Sequence, residues 1–460
     1  MKRIAVVVVA LVLIVAVVLP PLFGMRARTL VETQTELVGE GLAPYLLVDV
    51  AFDDWDVGWY SSTATVSLDV DFTAEYGPAV GANVPPARFD ATLSDAVRVY
   101  HGPILTGAPA GLGWGGVEFI VDGARIPELR DFQDRAGIDH VARLGITVGL
   151  LGRTAMNVDI PAFEVEADGA RIDFAGLEML ATLRGGGQRL DFDGEVGGFS
   201  VSMPNRTGVD FDRMVWSTTT RMDSRFPGLW LGGGRLDMAR VRATGSGSAD
   251  IYGASDIGIE GNSHIEADRY IATGRYEVGE LRIGEVRLND LIAELSLRYD
   301  AEVTGRLMVV GNDPNELSLE AATDLTNAMF RKRLTLDLDR FTLRHDSRSA
   351  SATLAFEYRG DELADEYSVD VATDLPVLLG LVTAHIDTAF HRELFRGLGL
   401  DQVDATVRVL DREGVLRVAD EDYTLDLGFD GGEVTVNGEP TDLTELMGLF
   451  GGGSTVYIAP

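Results

Sequence analysis

The chain is 460 residues long and carries 72 acidic against 39 basic residues, a formal net charge of −33. Such a surface repels phosphate backbones, which excludes nucleic acid as a partner. The absence of cysteine excludes disulfides, thiol catalysis and Cys-ligated metal centres.

The first element in chain order is an uncharged apolar run from Ile4 to Phe23, preceded by Lys2 and Arg3. As a helix this run covers about 30 Å, the thickness of a bilayer's hydrocarbon core. No small-residue cleavage site follows Pro20 and Pro21, so residues 1–28 are predicted to be an uncleaved transmembrane anchor. Residues 4–23 would then sit in an inner membrane, with the chain from residue 29 onward on its far side.

Beyond Leu42 the dominant period is two. In "SSTATVSLDVDF", Ala64, Val66, Leu68, Val70 and Phe72 share one face, the signature of a half-buried strand. The same alternation recurs in "GVEFIVD", "ELSLRYDAEVTGRLMVV", "RLTLDLDRFTLRH", "SASATLAFEYRG", "DATVRVLD" and "YTLDLGFDGGEVTVNG". Turn chemistry separates these stretches at Asp168-Gly169, Asp193-Gly194, Asp430-Gly431-Gly432 and Asn437-Gly438. The pattern predicts a mainly β fold, a large antiparallel meander sheet, curved or folded over, with a few covering helices.

Three stretches depart from that period: a short helix within 126–145, a long one over 374–400, and a last one through "TDLTELMGLF". Residues 29–460 form the β-rich region, and the glycine-rich 245–264 stretch is its candidate internal boundary.

Three ordered motifs carry a family resemblance. They are "GWYSSTA" (Gly58, Trp59, Tyr60, Ser61, Ser62 and on to Ala64), "YHGPIL" (Tyr100, His101, Gly102, Pro103 and on to Leu105) and the terminal "DEDYTLDLGFDGGEVTVNGEP", with Tyr423, Asn437 and Gly438. With the N-terminal run they resemble the YdgA family of bacterial envelope proteins. That resemblance implies an inner-membrane-tethered periplasmic protein with no established reaction. In architecture the chain is more distantly similar to the AsmA-like group, where an anchored β-rich chain forms a lipid-conducting groove.

None of these motifs spells out chemistry. No G-x-S-x-G elbow surrounds Ser61 or Ser62, and the histidines at 101, 140, 264, 345, 385 and 391 show no zinc-site spacing. On a helix over 374–400, His385 and His391 would point to different faces. The alternating carboxylates Asp191/Asp193 and Asp337/Asp339 read as solvent-facing strand positions, and no cofactor is expected. The reading is a non-enzymatic protein whose apolar sheet face, with Val66, Leu68, Val70 and Phe72, binds lipid or another hydrophobic ligand. Its alternative is an envelope scaffold acting through protein contacts, the apolar face being an ordinary core.

Overall fold

The computed structural model describes residues 47–442, apart from 58–60, 72–87, 102–103, 106–110, 125, 150–151, 168, 186, 204–206, 246–249, 313–318, 365–366, 368 and 370–372. The expected anchor over 4–23, the terminal helix beyond 442 and the positions Gly58, Trp59, Tyr60, Phe72, Gly102 and Pro103 therefore lie outside the described residues. No helix among those described is long and apolar enough to cross a membrane. The chain divides into two compact units, residues 1–204 and 205–460.

In the first unit, β1 (Leu47–Val57), β2 (Ser61–Asp71) and β3 (Arg88–His101) form a meander, and the two-residue β4 (Ile104–Leu105) pairs with β5 (Gly111–Val121). The sheet continues from β3 through β5 to β6 (Ala142–Gly149), β7 (Thr154–Ile160), β10 (Leu177–Arg184) and β11 (Arg189–Val196), every pair antiparallel. A smaller group joins β8 (Phe163–Ala167), β9 (Ala170–Phe174) and β12 (Phe199–Ser202).

The short helix expected within 126–145 is α1 (Pro127–Ala136), opened by its proline and closed by Gly137 in the left-handed region at φ +66°. Its Phe132 meets Phe163 of β8 edge to face at 5.1 Å. Asp193-Gly194 is not a turn. Both residues lie inside β11, opposite Leu180 and Met179, because the cross-strand ladder outweighs the local preference of an Asp-Gly pair.

The second unit is a longer meander. Its early strands are β13 (Gly208–Phe211), β14 (Met214–Met222), β15 (Trp230–Thr244), β16 (Asp250–Glu266), β17 (Arg269–Ile283) and β18 (Val286–Asp300), the longest of 17 residues. The boundary expected near 245–264 thus coincides largely with β16, which is paired to β15 on one side and β17 on the other. Two helices follow, α2 (Ala301–Asn312) and α3 (Leu319–Phe330), then β19 (Arg333–His345) and β20 (Arg348–Arg359).

The long helix expected over 374–400 is absent. The segment forms a single-turn α4 (Leu375–Leu379), the strand β21 (Val382–His391) and a short α5 (Leu394–Gly397). Val382, Ala384, Ile386, Thr388 and Phe390 alternate along β21, and pairing to β20 rewards that alternation over the helical spacing also present. Conversely "DATVRVLD", read as a strand, is part of α6 (Asp401–Arg412), which buries Asp404, Val407 and Leu410 three apart. The sheet ends with β22 (Arg417–Ala419), β23 (Asp422–Asp430), β24 (Glu433–Val436) and β25 (Glu439–Thr441).

Register places one class of side chain on each face. One row runs Arg235, Glu260, Arg275, Glu294, Arg340 across β15 to β19, alternating in sign at every step. Opposite charges facing across strands stabilise a solvated sheet face. The other face carries the row Leu295, Leu338, Leu354, Ile386, Leu427, Val436 from β18 to β24.

Helices cover this apolar face in two places. Val407 and Leu410 of α6 pack with Tyr423, Val434 and Val436, while α2 and α3 bring Val303 and Leu325 onto Tyr299 and Leu334. The hydroxyls of Tyr299 and Tyr358 donate to the carbonyls of Met329 and Phe330 at 2.7 Å, capping the end of α3.

Candidate functional site

In the first unit β2 and β3 are zipped from Ser61↔Tyr100 to Asp71↔Arg88 with one irregularity between Ala64 and Val66. The register sets Ser62 beside Val99, one step along the same face from His101. Ser62 Oγ and His101 Nε2 share a hydrogen bond at 2.9 Å. The structure thus brings together two motif residues 39 apart in the chain, which no local pattern indicated.

A serine against an imidazole is half of a nucleophile and base pair. Here, however, Ser62 is 2% and His101 0% exposed, with Ala64, Val97 and Val99 buried beside them. An acyl donor has no path to Oγ without displacing that packing, so the pair acts as a polar pin in the fold.

The reverse side of the same strands carries a second buried polar group. Tyr100 donates from its hydroxyl to Glu118 Oε2 at 2.6 Å, and Arg143 Nε lies 3.6 Å from Glu118 Oε1. Burial first, and the Glu118 carboxylate second, push the Tyr100 phenol up from its ordinary range. Both faces of β3 are therefore tied down by polar contacts.

The third motif holds the end of the second unit together. Tyr423, buried, donates to Asp411 Oδ2 at 2.9 Å with the Arg392 guanidinium over its ring. Asn437 and Gly438 take φ of +53° and +82° between β24 and β25, the conformation of a tight hairpin turn. Asn437 also donates from Nδ2 to the Val415 carbonyl at 2.7 Å and accepts from the Asp426 amide at 3.2 Å. These contacts fix the backbone of β22 to β25.

Apolar surface is accessible in each unit. In the first unit the row Ser62, Val99, Val117, Ile146, Met156, Ala181, Phe192 crosses from β2 to β11. It opens from fully buried at Val99 to 36% exposure at Ile146 and 39% at Met156. The backbones of Val66, Leu68 and Val70 extend the same strand pair, opposite Leu93, Ala91 and Phe89.

In the second unit Trp216, Leu236, Ile259, Tyr276, Ala293 and Phe341 are direct neighbours from β14 to β19. Of these Ile259 is 40% and Tyr276 43% exposed. Beside them Gly234, Gly261 and Gly274 lie opposite one another on adjacent strands and leave a shallow trough, with the Thr218 hydroxyl leaning over Gly234 at one end. A Cβ at Gly274 would lie 3.4 Å from the Tyr276 ring, so that ring leans over the trough. The sequence places the apolar face at Val66, Leu68, Val70, Phe72 and the equivalent positions of later strands; the glycines of β15 to β17 are visible in it, but their alignment depends on register.

The opposite face offers an open concavity of about 340 Å³ around Gly233, walled by Thr219, Arg235, Glu260 and Asn262. It is polar and too shallow to enclose a substrate as catalytic pockets do.

A family model described as "Bacterial protein of unknown function (DUF945)" matches residues 1–444. The chain belongs to this family. The match spans both units and all three motifs, so the buried contacts of Ser62, His101, Tyr423 and Asn437 fall within the DUF945 region. No curated protein matches the chain.

Proposed function

We propose that this DUF945 protein is a non-enzymatic envelope protein of YdgA-like type, anchored in the bacterial inner membrane by residues 4–23. Its β units lie in the periplasm and hold acyl chains of lipid along their apolar faces. The AsmA-like groove is the architectural parallel. The observation that carries the reading is the row from Trp216 to Phe341, unbroken over adjacent strands yet two-fifths exposed at Ile259 and Tyr276.

Contiguous apolar surface of this kind is costly to leave in water and marks a binding surface. Each methylene of a chain laid on it and removed from water contributes about 0.8 kcal/mol. The glycine trough supports the same reading, since missing side chains let a slender chain approach the backbone. The buried state of Ser62 and His101 supports binding over catalysis.

The test is native mass spectrometry with lipid extraction on the full-length protein purified from bacterial membranes, comparing the parent with Ile259→Asp and Tyr276→Asp. Phospholipid retained by the parent and lost from variants with unchanged circular dichroism is the expected result. A well-folded, lipid-free parent would make the face an ordinary surface and overturn the reading.

A further inference from the structure

On the charged face of the second unit the sign alternation fails where two carboxylates meet between β21 and β23. Asp387 of β21 and Asp426 of β23 are direct cross-strand partners. Like charges placed opposite one another in an antiparallel pair destabilise it. They cannot drift apart, because β21 and β23 are in continuous register from Thr383↔Asp430 to His391↔Asp422. The reverse side of that ladder, through Phe390, Leu425, Leu427 and Phe429, packs onto the α6 core. A slip of one residue would turn those side chains into water.

Elsewhere on the sheet Glu260 and Glu294 each sit between two arginines. Asp387 faces Thr353 on its other side. Among the described residues, the ion-pair contacts of both aspartates are with a single imidazole. His385 lies two positions before Asp387 on the same strand face, its Nε2 3.0 Å from Asp387 Oδ2 and its Nδ1 3.6 Å from Asp426 Oδ1.

We infer that His385, Asp387 and Asp426 bind a first-row divalent transition cation at the solvent-exposed face of β21 and β23. One donor atom from each residue lies within 4.8 Å of the others. Cation bonds of about 2.0–2.2 Å to nitrogen and oxygen require only a small further convergence of such donors. The cation replaces the hydrogen bond now shared by the imidazole Nε2 and Asp387 and neutralises the opposed carboxylates.

One nitrogen and two carboxylates suit Zn²⁺ and its first-row neighbours. Mg²⁺ and Ca²⁺ are hard cations that prefer oxygen throughout, so the imidazole nitrogen favours the first-row metals over both. Water completes the coordination, since all three side chains are 40% or more exposed. The site lies on the face opposite the apolar rows, so it stands or falls separately from lipid binding.

The experiment is calorimetric titration of Zn²⁺ into the untagged full-length protein in about 1 M salt. A Debye length of ~3 Å there removes diffuse attraction to the acidic surface but leaves coordination intact. One saturable site is expected, weakened at least ~10-fold by each of His385→Gln, Asp387→Asn and Asp426→Asn, with Mg²⁺ in excess failing to displace Zn²⁺. Far-UV circular dichroism checks that each variant is folded, and Asp426→Glu, which keeps a carboxylate donor, is expected to retain the site. Binding unchanged in all three substitutions, displacement by Mg²⁺, or no saturable binding overturns the inference.

Discussion

At the scale of single residues, Ser62 and His101 form a polar pair in the interior of the first unit. Both side chains are polar, both are almost wholly removed from water, and they meet at 2.9 Å. A buried polar group deprived of its partner bears its desolvation cost in full, about 1–3 kcal/mol. Ser62→Ala is therefore expected to destabilise the first unit by about that amount, and His101→Ala by about 2–5 kcal/mol because a cavity is added. Urea unfolding of the two single variants and the double variant checks this, and a double-variant loss smaller than the sum of the singles identifies the pair as coupled.

The tyrosines yield a prediction of opposite character. Tyr100, Tyr299, Tyr358 and Tyr423 all have phenols raised above the ordinary value, with burial as the first cause. A raised folded-state value means that the neutral form is preferred in the fold. The stabilisation is complete below the unfolded value near pH 10 and is lost as pH rises through the folded values. Melting temperature is expected to fall above about pH 10, and Tyr100→Phe to flatten part of that fall.

At the scale of elements, strands were legible and several helices were not. Alternation in "RLTLDLDRFTLRH" and "SASATLAFEYRG" became β19 and β20, in register from Arg333↔Arg359 to His345↔Arg348 with one irregularity. In "ELSLRYDAEVTGRLMVV" the strand stops at Asp300, whose carboxylate accepts from the Val303 amide at 2.9 Å and caps α2. That capping aspartate was the available signal, hidden within a run that otherwise continued to alternate.

The segment 382–391 failed in the opposite direction, since its apolar residues satisfy both periods and only the waiting edge of β20 chose between them. Close backbone approach at Gly232 belongs at this scale too. With φ at +146° and a Cβ there lying 2.0 Å from the Thr219 carbonyl oxygen, Gly232→Ala is expected to cost about 2–3 kcal/mol or more. Its urea midpoint, compared with that of the parent, measures this directly.

For the molecule as a whole, charge sets the conditions of stability. A net −33 makes the compact state repel itself, whereas the individual surface ion pairs, such as Arg235 with Asp237, are exposed and contribute little. Raising salt from about 0.05 M to about 1 M screens both, and the larger unfavourable term wins. Melting temperature is expected to rise with salt in scanning calorimetry; a fall would mean that ion pairs outweigh net repulsion.

By itself the sequence determined the strand-rich class, the antiparallel connectivity and the acidic character, since alternation, turn residues and composition are local properties that survive any change of neighbours. Tertiary structure decided which short ambiguous segments became helix or strand. It also decided which distant residues met: Ser62 with His101, three glycines in one row, and Asp387 opposite Asp426 beside His385. Those meetings are set by strand register, and register is a collective outcome of packing in which a shift of one residue sends every side chain to the other face.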